Sequence, residues 1–141
     1  MDNFLTPVLV LIIWSLIIWC VMYARRIPAM KKAGIDPDSG RNPDGEWKSL
    51  MPDHAQFAAH NYNHLMEQPT IFYALMFYIQ ISGFATGDTM AHRLAWAYVV
   101  LRILHSLVQI TVNKVLIRFS LFSLGTIVLI VMALRALADV L

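Results

Sequence analysis

A single cysteine, Cys20, stands in a chain of 141 residues, so no disulfide can form within it. It falls in an apolar stretch, where a thiol packs as a small hydrophobe. Charge is scarce: Asp, Glu, Lys and Arg make up 14% of the residues, against 58% hydrophobic, whereas a soluble domain is roughly 25% charged. The formal charge of +2 is not gathered into a basic run, which excludes the electrostatic footprint of a nucleic-acid binder. The chain opens on the acidic Asp2 and lacks the positive n-region of a cleaved signal peptide, so its first apolar block reads as a retained anchor. No internal repeat is evident.

What the chain has is apolar length. Four blocks, at about 5–24, 54–82, 90–112 and 116–138, are each long enough to cross a hydrocarbon layer of about 30 Å. Only helices and closed barrels cross lipid, and these blocks are too long and too continuously apolar for barrel strands. The sequence therefore predicts an all-α, integral-membrane four-helix bundle. It forms one transmembrane domain over residues 1–141, with helices at about 5–25, 53–82, 90–112 and 115–138 and a loop at 26–52. Arg25, Arg26, Lys31, Lys32, Arg41 and Lys48 lie between the first two blocks, and Lys114 and Arg118 between the last two. The opposite side has only Arg93 and, near the end, Arg135. Positive residues stay on the cytoplasmic side, which places both termini outside the cytoplasm.

Local signals set expected boundaries. Thr6 and Pro7 read as the cap and first turn of helix 1, which should end near Arg25–Arg26 with Pro28 just beyond. The loop that follows is rich in proline and glycine. Its acids Asp36, Asp38, Asp44 and Glu46 miss the calcium-loop pattern, because Gly40 and Arg41 occupy the places of a ligand and the obligatory glycine. A solvated loop is expected there, with a lid over the inner end of the bundle as the functional alternative. Asp53 and Gln56 have capping-box spacing, and Pro69 should kink helix 2 within a turn of Glu67. Ser82–Gly83 and Gly87–Asp88 mark the outer turn, and Asn113–Lys114 a tight inner one.

Two helices carry polar stripes: Gln56, His60, Asn63 and Glu67 on one, and Arg102, His105, Gln109 and Asn113 on the other. Run antiparallel with Glu67 beside Arg102, the stripes match in depth at about 1.5 Å per residue. An ionisable residue in a membrane helix is costly and a functional suspect, so Glu67 and Arg102 are expected to form a structural ion pair. His54, His60, His64 and His105 invite a metal, but His60 and His64 enclose no glutamate and have no cysteine partner, so no metal is predicted. His105 is read as a hydrogen-bonding group, able to face a polar ligand. Arg118 falls in the first turn of helix 4, where free N–H groups and the helix dipole favour an anion. A thiol held there is more readily ionised. Ser120 and Ser123 can add hydroxyls, and the competing reading is an arginine reaching lipid phosphate.

The runs Asn63–Pro69, Arg102–Ser106 and Asn113–Phe119 resemble the MAPEG family, membrane-associated proteins in eicosanoid and glutathione metabolism, and most closely a bacterial branch of it. The resemblance implies a homotrimer of four-helix protomers in a bacterial inner membrane, with sites between protomers toward the cytoplasm. It also implies glutathione as cofactor, and transferase, peroxidase or isomerase activity on lipophilic substrates. Arg118 then matches the arginine that stabilises the glutathione thiolate, and Glu67, Arg102 and His105 match the family's helix-2 glutamate, helix-3 arginine and histidine. Asn63, His60, His105, Gln109, Arg25 and Arg26 are the candidate glutathione-binding residues. The pattern departs from characterised transferases where His60 and Asn63 replace arginines, Gln109 replaces a tyrosine, and Phe119 replaces a serine. Arg25, Arg26 or Lys31 can supply the lost charge.

Three functions compete: a glutathione-dependent transferase or peroxidase, a non-catalytic membrane protein of the same fold that binds lipid or a partner, and a small transporter using Glu67. The last is disfavoured by the neutralising arginine and the missing repeat.

Overall fold

The computed structural model describes residues 3–83 and 89–141; the turn expected at Gly87–Asp88 and the acidic Asp2 lie outside them. Four helices carry the chain: α1 (Thr6–Ala33), α2 (Asp53–Ile81), α3 (Thr89–Ile110) and α4 (Val115–Ala138). Helix α3 packs mainly on α4 and α1 on α2, while α2–α3 and α1–α3 contacts close the bundle. The α2–α3 contacts Asn61–Ser106, Gln68–Arg102 and Phe72–Tyr98 run in opposite numerical order, so the two helices are antiparallel.

The core is built on one apolar face of each helix. Leu11 and Ile18 of α1, Leu65, Phe72 and Met76 of α2, Tyr98 and Val99 of α3, and Leu129 and Met132 of α4 are buried together. Phe72 and Tyr98 stack at a centroid distance of 4.5 Å. Outside this core the helices present aliphatic side chains outward: Leu9, Leu16, Val100, Ile127 and Leu134 are all at least half exposed. Among the described residues, α1, α3 and α4 are long and apolar enough to cross a membrane. Helix α2 has the length, about 43 Å at 1.5 Å per residue, but its polar side chains keep it off that set, contrary to the expectation for all four blocks.

Three local expectations are corrected. Helix α1 does not stop at Arg26; it continues through Pro28 to Ala33 and is capped by Gly34 in the left-handed region (φ 64°). Ala29, Met30 and the residues Ile35, Met51 and Ala55 form a small second core that holds this extension. Leu5, not Thr6, is the N-cap of α1, with the Asn3 side chain accepting from the Leu5 N–H at 3.0 Å. The Asp53–Gln56 box does not form: Gln56 Nε2 instead donates to the carbonyls of Lys48 and Met51, at 3.0 and 2.7 Å, and pins the loop to α2.

The α1–α2 connection is folded rather than merely solvated. It holds two 3-10 turns, Pro37–Arg41 and Glu46–Lys48. Asp36 caps the first by accepting from the Asp38 N–H, and Asp44 pairs with Lys48 at 3.1 Å. Trp47 donates its indole N–H to the Asn42 carbonyl at 2.8 Å. Asn113 makes the α3–α4 turn with φ 49°, a conformation asparagine tolerates better than most residues.

Candidate functional site

Arg102 is 2% exposed and lies between α2, α3 and α4. Its Nε donates to the Tyr98 hydroxyl at 3.0 Å, and its Nη2 donates to Gln68 Oε1. Gln68 passes the link on, donating from Nε2 to Thr126 Oγ1 of α4 at 2.7 Å. The guanidinium carbon sits 5.5 Å from the Tyr98 ring centroid and 4.9 Å from that of Phe122. Neutral acceptors and two aromatic faces thus support the buried charge.

The expected Glu67–Arg102 ion pair does not form within this chain. Glu67 turns outward with its side chain 65% exposed, and its Oε2 lies 3.2 Å from His64 Nδ1. The depth alignment holds, but the facing residue is Gln68, about 100° around the helix from Glu67. Turning Glu67 inward would turn Leu65 and Phe72 out of the core. The two stripes therefore do not face each other. Arg102, His105 and Gln109 of α3 are buried inside the bundle, whereas His60, Asn63 and Glu67 of α2 lie on its exposed side. Asn61, one position from the expected stripe, is the residue that reaches α3, donating to Ser106 Oγ at 2.6 Å.

His64 joins the two zones. It touches Glu67 on one side, and its ring meets that of His105 edge-on at 5.9 Å. His105 also lies 6.2 Å from the Phe122 ring. Gln109 is buried with its Oε1 lacking a hydrogen-bond partner.

Arg118 stands in the first turn of α4, half-buried, with Nη1 donating to Asn113 Oδ1. Its Nε is buried and unpartnered. The Asn113 that it binds is the residue that turns the chain from α3 into α4, so Arg118 sits at the α3–α4 connection. The Ser120 hydroxyl is used within α4, donating to the Leu116 carbonyl at 3.0 Å.

A cavity of about 260 Å³ opens beside α2, under the folded loop. Arg26, Trp47, Lys48, Gln56, His60 and Asn63 contribute to its wall. The Arg26 guanidinium carbon lies 5.2 Å from the Trp47 ring centroid. Arg25 points elsewhere. Its Nη1 donates to the Ile110 and His54 carbonyls, at 2.9 and 3.3 Å, and so ties α1 to α2 and to the end of α3. Lys48, Trp47, Gln68 and Tyr98 belong to these arrangements but carried no signal in the sequence beyond their residue types. The i, i+4 spacing of Tyr98 and Arg102 was the one usable hint. No group of His, Cys, Asp and Glu able to hold a metal occurs among the described residues.

The sequence profile of the MAPEG family matches residues 4–138. The chain belongs to the MAPEG family. No curated protein and no solved structure matches it. The MAPEG assignment accords with a helical bundle in which, among the described residues, three helices are apolar and long enough to span, and the chain is a membrane protein.

Proposed function

We propose that this MAPEG protein is a glutathione-dependent transferase or peroxidase acting on lipophilic substrates. The observation that carries the reading is Arg118, a half-buried guanidinium with a buried, unpartnered Nε at the N-terminal turn of α4. Such a group favours the charged form of a thiol. The cavity under the folded loop suits an anionic peptide: Arg26 and Lys48 bring positive charge, and His60, Asn63 and Gln56 bring hydrogen-bonding groups. Arg26 and Lys48 stand in for the arginines that His60 and Asn63 replace. Glutathione supplies the nucleophilic or reducing thiol. Arg118 holds the negative charge that develops on sulfur, Arg26 and Lys48 take carboxylates, and His60 and Asn63 orient the backbone. His105 and Gln109 act from behind, through the packed seam.

The same reading includes a homotrimer in a bacterial inner membrane, with both termini outside the cytoplasm. The outward polar stripe of α2 supports the assembly, because His60, Asn63, Glu67 and Thr70 facing lipid would be costly. A second copy covers them at less cost.

Titrating glutathione into purified protein while following thiolate ultraviolet absorbance tests the function. The expected result is a saturable signal, lost in Arg118→Ala. Absence of binding at millimolar glutathione would instead favour a non-catalytic protein of this fold that binds lipid or a partner.

A further inference from the structure

Ionising a thiol beside Arg118 leaves a proton to be placed, and an arginine cannot take it. Three imidazoles lie in this region: His60, His64 and His105. His105 is 4% exposed, packed against Phe122 and in the field of Arg102. His60 is exposed and has no carboxylate partner among the described residues. His64 alone combines access with a carboxylate, its side chain 34% exposed and its Nδ1 3.2 Å from Glu67 Oε2.

We infer that His64, oriented by Glu67, accepts the thiol proton when glutathione binds; this rests on the function proposed above. The carboxylate accepts the Nδ1–H and fixes the tautomer, so Nε2 carries the free lone pair. The S–H bond breaks, an N–H bond forms at His64 Nε2, and the electron pair stays on sulfur beside Arg118. The resulting imidazolium is held by Glu67, and no oxidant or reductant is consumed. Two titratable side chains contact His64: Glu67, 3.2 Å from its Nδ1, and His105, whose ring centroid lies 5.9 Å from its own. Of the two, Glu67 is the anion that offsets the charge the imidazole takes up. His64 is therefore a catalytic base and Glu67 a positioning residue. Facing outward, Glu67 serves a neighbour on its own helix rather than Arg102.

Calorimetric titration of glutathione in two buffers of different ionisation enthalpy counts the protons released, and thiolate absorbance on the same samples counts sulfur ionised. In the intact protein thiolate should form with almost no net proton release. In His64→Gln, either thiolate is lost or close to one proton per thiolate should pass to the buffer. Glu67→Gln should move in the same direction. His92→Gln, on the Trp96 side of α3, should behave as the parent. His64→Asn serves if the glutamine variant does not fold. The inference is overturned if the intact protein already releases a full proton per thiolate, or if His64→Gln keeps both thiolate and buffer independence. If glutathione does not bind at all, the proposed function falls and takes this step with it.

Discussion

At the level of single residues, the buried charge of Arg102 rests on Gln68 rather than on Glu67. Hydrogen bonds to a charged group contribute about 1.5–3 kcal/mol each, and Gln68 accepts one from Arg102 while donating another to Thr126. Gln68→Ala should therefore lower stability by about 2–4 kcal/mol, read as a large drop in the detergent melting temperature. Glu67→Gln should change it by less than about 1 kcal/mol, as for other exposed pairs. An ion pair between Glu67 and Arg102 would reverse that order. The sequence identified Arg102, His105 and Gln109 as a continuous polar stripe, and the structure buries all three. It could not show which face of α2 meets that stripe. Asn61, Gln68 and Glu67 are all polar, and the choice is made by the apolar neighbours Leu65 and Phe72, whose burial outweighs any single polar contact.

Among the elements, four helices are legible from apolar length alone, but the C-terminal end of α1 is not. Arg25, Arg26 and Pro28 in succession read as a stop. The helix survives because Ala29 and Met30 find a tertiary partner in Ile35, Met51 and Ala55, which local signals do not reveal. Its end depends on Gly34: the Gly34 N–H donates to the Lys31 carbonyl at 3.3 Å, and the Ile35 N–H donates to that of Met30 at 3.0 Å. A side chain in the left-handed conformation costs about 1–2 kcal/mol. Gly34→Ala should therefore destabilise the α1–α2 connection by about that amount, seen as faster amide exchange across residues 35–51 with the exchange of α3 unchanged. Because Trp47 and Lys48 belong to that connection and line the cavity, the same variant should weaken glutathione binding without abolishing thiolate formation. Equal exchange in parent and variant would show that the loop is held by its second core alone.

Across the whole molecule, the outward surfaces of the helices differ in kind. The exposed residues of α4 include Leu124, Ile127, Ile130, Val131 and Leu134, all compatible with lipid tails. The outward side of α2 changes along its length, from His60, Asn63 and Glu67 at one end to Phe77, Tyr78 and Ile81 at the other. Facing the polar end to hydrocarbon leaves hydrogen-bonding groups without partners, which the second copy of the proposed trimer would supply. Ala74 lies midway on this side and is exposed, so it reports on what covers it. With Cys20→Ser as background, Ala74→Cys should form a covalent dimer on mild oxidation in native membranes. Three thiols meeting on a threefold axis can close only one bond, so a monomer band should persist beside it however long the oxidation runs. Leu134→Cys, on the aliphatic side of α4, should give no such band. Light scattering in detergent should return the mass of three chains, and a single-chain mass together with uncrosslinked Ala74→Cys would place the α2 stripe against lipid and remove the trimer from the proposal.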